Sequence, residues 1–400
     1  MAVKLYYEDP YLSRFEAEVV SVDGNRIYLD RTAFYPGGGG QQGDTGSIGE
    51  KPVVEVGMDG GEIFHVVEES LFEQGQQLSC EIDWPRRYDL MKGHTGQHIL
   101  FRSLQEQNLD LAVVKIDITS DRKSLFVNGE LSWDAIRKAV AKANQVIFED
   151  NQVAIRDIPL DSEELEEVRV KIDRLKGDTA RIVSIGDFDA AACSGVHVAK
   201  TSEIGGISIT RMISGRQTSD WEIQFAVGPE AIMSASILSV TALSAADLLG
   251  TSIENVEPTI TNLRASSQQL SEQLRSMVAE QVDNLEPEMI GSFSVYYKII
   301  HGADRKKLTE AASKLIRRDG ATVVLCDISE GGYLLVGCNE KLSIDCRELL
   351  KIGMGILGGR GGGKRNFAMG GSPDGSKCEE AFGAVLEAMK ELLTMQHACK

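Results

Sequence analysis

Between residues 15 and 83, apolar and polar positions alternate in short runs such as Glu18-Val19-Val20-Ser21-Val22 and Glu62-Ile63-Phe64-His65-Val66-Val67. Turns at Asp23-Gly24-Asn25, Gly37 to Gly40 and Asp59-Gly60-Gly61 separate the runs. A period of two broken by glycine turns predicts a small antiparallel, barrel-like β-domain over 1–85. After Trp84-Pro85-Arg86-Arg87 the period changes, and Leu90, Met91, Ile99, Leu100 and Leu104 recur at helical spacing. The pattern then predicts strands at 113–119 and 123–127, helices at 132–148 and 161–175, and strands at 181–185, 206–211 and 221–226. That order gives an α+β layer domain over 86–228.

Over 229–290 the character shifts again. Ile260, Leu263, Ser267, Leu270, Leu274 and Met277 are spaced by 3, 4, 3, 4 and 3, an a/d seam interrupted by one serine. It predicts a long helix or a helical hairpin. The seam can pack against its own chain or pair two copies as a homodimer. From 291 to 400 the order is strand (295–300), helix (303–318), two strands (322–327 and 333–337), helix (345–354), glycine loop and helix (377–394), a C-terminal α/β domain. The fold class is therefore α+β: a β-barrel-like domain, an α+β domain, a helical linker and a C-terminal α/β domain.

Composition narrows the function classes. Hydrophobic residues make up 42% and charged residues 26%, which suits packed globular domains. No uninterrupted apolar run approaches bilayer length and the first residues lack a secretory apolar region, so a cytoplasmic protein without a membrane partner is expected. Seven scattered cysteines without a C-x-x-C pair fit a reducing compartment. With 42 Lys plus Arg against 60 Asp plus Glu, the net charge is -18, which excludes a protein that coats polyanions generally. A folded nucleic acid still fits if its phosphates meet a local basic patch.

Two of the six histidines stand in Gly93-His94-Thr95-Gly96-Gln97-His98, one helical turn apart on one face. Ala192-Cys193-Ser194-Gly195-Val196-His197 adds a thiol and a third imidazole, again four positions apart. Thiolate with imidazole selects Zn²⁺ over Mg²⁺ or Ca²⁺, so one zinc per chain is expected. Its role turns on His197. Four protein ligands would make it structural, whereas an open position would hold a water with a pKa near 7, able to attack an ester or amide carbonyl.

Two glycine clusters remain. Gly37 to Gly40 permit positive φ and close backbone approach, while Thr32 and Gln41 supply neutral hydrogen-bonding groups beside them. The second cluster, from Gly355 to Asn366, nearly matches G-x-x-x-x-G-K-[ST], but Arg365 stands where the Mg²⁺-binding hydroxyl belongs and a helical pattern precedes it. This is no ATP-binding loop. Gly359, Arg360, Gly363, Lys364 and Arg365 suit phosphates or sugar edges of RNA.

In order, T-A-F-Y-P-G-G-G-G-Q-Q-G-D-T-G, H-T-G-Q-H and C-S-G-V-H-V followed by Thr201 to Gly205 resemble the editing domain of alanyl-tRNA synthetase and the free-standing AlaX family of alanyl-tRNA editing proteins. The segment G-G-R-G-G-G-K-R-N-F-A-M-G-G resembles the C-terminal domain of alanyl-tRNA synthetase, also found in DHH phosphoesterases. The resemblance covers nearly the whole chain. It implies a trans-editing hydrolase of the long form, with zinc on His94, His98, Cys193 and His197 and with Thr32 and Gln41 bordering the pocket. The implied substrate is tRNA(Ala) mischarged with serine, or with glycine, gripped by the C-terminal glycine-rich domain. Gly37 replaces an acidic residue common in the family, and Gly96 and Gln97 stand within H-x-x-x-H where the family often carries alanine or threonine, which leaves the implied ligands intact.

A pocket that admits serine cannot exclude alanine by size, so the serine hydroxyl must be read by a hydrogen bond, expected from Thr32 or an ordered water. The competing reading is a non-catalytic tRNA-binding module with a structural zinc. A peptidase would need the glutamate of H-E-x-x-H, and a phosphodiesterase the aspartates of the DHH signature.

Overall fold

The protein is described here from a computed structural model that covers residues 2–68, 72–170, 178–215, 217–302, 305–328 and 331–398. The chain forms two compact units, Met1–Ala245 and Ala246–Lys400.

In the first unit, Arg14–Asp23, Arg26–Leu29, Glu62–Val67, Lys51–Asp59, Gly46–Ile48 and Gln77–Ile82 close in that order into an antiparallel barrel. Alternation does the work: Phe15, Ala17 and Val19 point inward while Arg14, Glu16 and Glu18 face water. The barrel and the layers that follow share one continuous core, from Tyr6 to Val227. A buried ion pair ties them together. Arg87 donates from Nε to Asp44 at 2.9 Å and from Nη2 to the Ala33 carbonyl at 2.5 Å.

The helix Trp84–Gln105 begins with Asp83 accepting from the Arg86 amide and Pro85 in its first turn. It packs against Trp133–Phe148 and an antiparallel sheet ordered Ile207–Ser214, Trp221–Val227, Lys123–Asn128, Ala112–Ile118. Glycines let the sheet come this close. A Cβ on Gly96 would meet Val227 at 3.1 Å, and one on Gly93 would meet the Lys123 side chain at 2.7 Å.

A second sheet, Val153–Pro159, Thr179–Ile185 and Asp189–Ala192, includes two strands that the sequence pattern missed. The expected helix over 161–175 is absent where it can be described, up to residue 170. Only Glu163–Glu167 turns, as a 3₁₀ segment, and 171–175 lie outside the described residues. Four glutamates in one turn repel, and sheet pairing wins at Arg169, whose amide donates to the Ala190 carbonyl at 2.9 Å.

The linker consists of two helices, Gly228–Leu248 and Val256–Asp283. The first corrects the reading that nothing approaches bilayer length. Its 21 residues are long and apolar enough, by length and composition alone, to cross a membrane. Four serines and one threonine between its apolar residues hid this from a search for unbroken runs.

In the second unit, Glu288–Ile290, Phe293–Ile300, Ala321–Asp327, Gly332–Cys338, Phe367–Ser372 and Arg360–Lys364 form one mixed sheet in that order. One face packs on Cys346–Leu357 and Cys378–Ala398, the other on Arg305–Leu315 and the end of Val256–Asp283. The expected glycine loop is thus in part an edge strand. Arg360 to Lys364 pairs with Phe367 to Gly371, and added Cβ atoms on Gly361 and Gly363 would lie within 2.6 Å of the partner backbone.

Candidate metal centre and its cavity

The two turns of helix carrying His94 and His98 face the segment after strand Asp189–Ala192, where Cys193 and His197 stand. One ligand atom from each of the four lies within 4.8 Å of the others. Nε2 of His94 and Nε2 of His197 are each 3.4 Å from Cys193 Sγ. Tetrahedral zinc, with Zn–N of 2.0–2.1 Å and Zn–S of 2.3 Å, would set such atoms about 3.6 Å apart. The donor set fits zinc.

Each imidazole is held from behind. Gln41 Oε1 accepts from the Val196 amide at 3.1 Å, so it also accepts from His94 Nδ1 at 2.7 Å, leaving Nε2 bare. Thr95 Oγ1 donates to the Met91 carbonyl at 3.0 Å and therefore accepts from His197 Nδ1 at 3.1 Å. His98 Nδ1 faces Asp189 at 3.6 Å, an ion-pair separation, and Arg169 Nε donates to that same carboxylate at 2.9 Å. All three arrangements leave Nε2 for a metal.

Charge follows the geometry. Burial favours the neutral thiol of Cys193, but His94 and His197 outweigh it and hold its pKa well below the usual thiol range. Burial pushes the His197 imidazole down to about 3. For His98, burial also disfavours the cation, yet Asp189 and Cys193 outweigh it and raise the pKa to about 9.

The turn after Cys193 is clamped from outside. Arg181 Nη1 donates to the carbonyls of Cys193 at 2.7 Å and Gly195 at 2.9 Å, its guanidinium lies 4.6 Å from the Tyr7 ring centre, and Tyr7 donates to the Ser194 carbonyl. Gly195 permits the contact with His94, since an added Cβ would lie 2.2 Å from His94 Cε1. Downstream, Glu203 accepts from Tyr11 and Tyr88 and fixes Thr201 to Gly205.

A cavity of about 1310 Å³ opens beside the cluster, lined by His94, Gln97, His98, Cys193 and the glycine loop at Gly39 and Gly40, with Lys115, Arg156 and Arg181 on its walls. The loop has φ of 80°, 140°, 59° and 89° from Gly37 to Gly40. It docks on the strand Ala112–Ile118, the Ile118 amide donating to the Gly40 carbonyl at 2.7 Å, and so carries Gln41 to His94.

Gln41 thus stands behind His94, one of the four candidate ligands. Thr32 does not reach the cavity: its hydroxyl donates to His65 Nε2 at 2.9 Å inside the barrel, because His65 Nδ1 is committed to the Ile27 carbonyl. Arg360, Lys364 and Arg365 are exposed on the hairpin of the second unit, with Gly359 and Gly363 beside them. Sequence reasoning missed Thr95, Asp189, Arg169 and Arg181. Only Thr95, inside H-T-G-Q-H, carried a positional signal.

Family models match in three places: tRNA synthetases class II (A) at 8–86, the threonyl and alanyl tRNA synthetase second additional domain at 180–221, and the DHHA1 domain at 292–395. The chain is 32% identical to alanyl-tRNA editing protein AlaX-L of Pyrococcus horikoshii over 98% of its own length and 100% of that protein. It is 30% identical to the alanine–tRNA ligase of Pyrococcus abyssi and 29% to that of Methanoregula boonei, spanning 43% and 42% of their lengths.

Proposed function

Because the chain belongs to the alanyl-tRNA editing proteins, we propose that it hydrolyses, in trans, the ester that joins serine or glycine to mischarged tRNA(Ala). The observation that carries this reading is the convergence of three imidazoles and one thiol beside an open cavity. A zinc ion held within the group His94, His98, Cys193 and His197, with one of its four positions left open, would supply Lewis-acid chemistry at the ester carbonyl. Gln41, Thr95 and Asp189 orient the imidazoles, and Arg181 with Tyr7 fixes the Cys193 turn. Lys115, Arg156 and Arg181 offer cations to the terminal phosphodiester. An aminoacyl ester is already activated, so positioning supplies much of the required acceleration.

In the second unit, Gly359, Arg360, Gly363, Lys364 and Arg365 would grip the tRNA backbone. Arg360 and Lys364 are four residues apart on one strand, so their side chains share a face. The exposed apolar residues of the two linker helices would pair two copies as a homodimer.

The test is deacylation of Ser-tRNA(Ala), with Ala-tRNA(Ala) and Thr-tRNA(Thr) alongside, by wild type and Cys193→Ala of measured zinc content. Loss of serine alone, abolished together with the metal in the variant, is expected. Bound zinc and bound tRNA without hydrolysis would overturn the enzyme in favour of a tRNA-binding module whose zinc, closed by four ligands, is structural.

A further inference from the structure

Discrimination against alanine needs a group that the substrate hydroxyl satisfies and a methyl does not, and Thr32 spends its hydroxyl on His65. Among the described residues, the buried side-chain polar atoms without a partner include two on residues lining the cavity, Gln97 Oε1 and His98 Nδ1. The second has a carboxylate 3.6 Å away in Asp189. The first has nothing. Gln97 is 2% exposed and sits on the helix between the two imidazoles, one residue before His98.

Burying an amide oxygen without a partner is costly, and such an atom calls for a ligand that completes it. The ester carbonyl and the α-ammonium are common to serine and alanine, so contacts to them cannot tell the two apart. Only the β-hydroxyl differs. Other hydroxyl-reading candidates are weaker: Ser194 is exposed, where water replaces a lost contact at little cost, and Tyr7 already donates to the Ser194 carbonyl.

We propose that Gln97 is the specificity-determining residue of this site. Its Oε1 accepts the hydroxyl proton of a serine esterified to the tRNA end. With alanine, the same oxygen stays buried and unpaired beside a methyl group. This rests on the editing reading above and adds the residue that makes it selective. It also gives a physical role to the glutamine that stands between the paired histidines of H-T-G-Q-H.

The test compares wild type, Gln97→Met, which keeps the volume and removes both polar atoms, and Gln97→Glu, which keeps an oxygen acceptor at the same reach. Two readouts are taken on zinc-loaded protein: kcat/KM for Ser-tRNA(Ala) and Ala-tRNA(Ala), and calorimetric binding of adenosine carrying serine or alanine through a non-hydrolysable 3′-amide. Wild type should bind the seryl amide more tightly than the alanyl amide. Gln97→Met should lower the serine-to-alanine ratio about 10- to 100-fold in both readouts, with zinc content unchanged. Gln97→Glu should keep the serine preference.

An unchanged ratio in Gln97→Met overturns the assignment, since a merely structural residue would weaken both ligands alike. Should Gln97→Met fail to fold, loss of the serine preference in Gln97→Glu overturns it instead. Equal binding of the two amides by wild type removes the hydroxyl reader altogether, whether or not the ester is cleaved. Absence of hydrolysis with the binding preference intact strikes the enzyme reading and leaves Gln97 as the reader.

Discussion

At the scale of single residues, the candidate metal site depends on atoms that would not touch a bound ion. Gln41 Oε1 accepts from both His94 and the Val196 amide, and so joins the barrel loop to both halves of the candidate ligand set. Gln41→Leu should leave His94 free to rotate and change tautomer, lowering zinc affinity about 10- to 100-fold in chelator competition. His65 gives a second, independent prediction. Full burial presses its imidazole pKa down to about 4 from an ordinary 6.5, so the unfolded chain binds the proton more tightly than the folded one. Stability is then full above pH 6.5 and falls as the pH drops through 4. Urea unfolding should show roughly 2 kcal/mol lost between pH 7 and 5 from this group, and His65→Gln should flatten that slope. A variant with the wild-type pH slope would show that His65 is not the group responsible.

At the scale of elements, close approach decides what each glycine can become. Gly195→Ala would drive a methyl against the His94 ring and Gln41 Oε1, at 2.2 and 2.8 Å, so it should strip zinc and cost about 1–3 kcal/mol of stability. Gly355 is the control: it lies in the helix Cys346–Leu357 with nothing within 4 Å, and Gly355→Ala should stabilise by about 0.5–1 kcal/mol. Thermal unfolding and zinc content of the two variants check both signs. The same contrast explains what the sequence made legible. His94 with His98, and Cys193 with His197, could be read because helical and turn spacing are local facts. The mixed α+β order could be read because hydrophobic periods are local too. The supports were hidden. Asp189 and Arg169 meet only after a strand forms that no period announced, and the helix expected over 161–175 is replaced up to residue 170 by a 3₁₀ turn and sheet pairing at Arg169. The edge strand Arg360–Lys364 was likewise concealed, since three glycines carry no alternation and only contact with Phe367–Ser372 makes them a strand.

At the scale of the molecule, the linker helices leave a large apolar area in water. On Gly228–Leu248, Met233, Ile237 and Val240 are 68%, 62% and 67% exposed, and on Val256–Asp283, Leu263, Leu270 and Met277 are 55%, 65% and 61% exposed. Scattered apolar residues on a surface need no partner, but a run at a/d spacing along one helix does, because every position lies in the same stripe. Ile260, of the same seam, is 42% exposed, and the side chain of Leu274 lies outside the described residues. The helix is anchored at its end by Val278 and Val282, which are buried in the core of the second unit, so the exposed stripe is held rather than free to collapse. A parallel or antiparallel pair of such stripes would bury about 1.5–3 kcal/mol of side-chain transfer energy for each leucine. Light scattering on the eluting protein should therefore give a mass near twice 43.6 kDa. The double variant Leu263→Glu, Leu270→Glu should give the single-chain mass, because charges placed in the seam would have to be buried against one another. A wild type that elutes as a monomer at micromolar concentration, or a double variant that stays dimeric, would rule this pairing out. Zinc content serves as the internal standard, since the candidate ligands lie in the first unit and should be unaffected by either outcome.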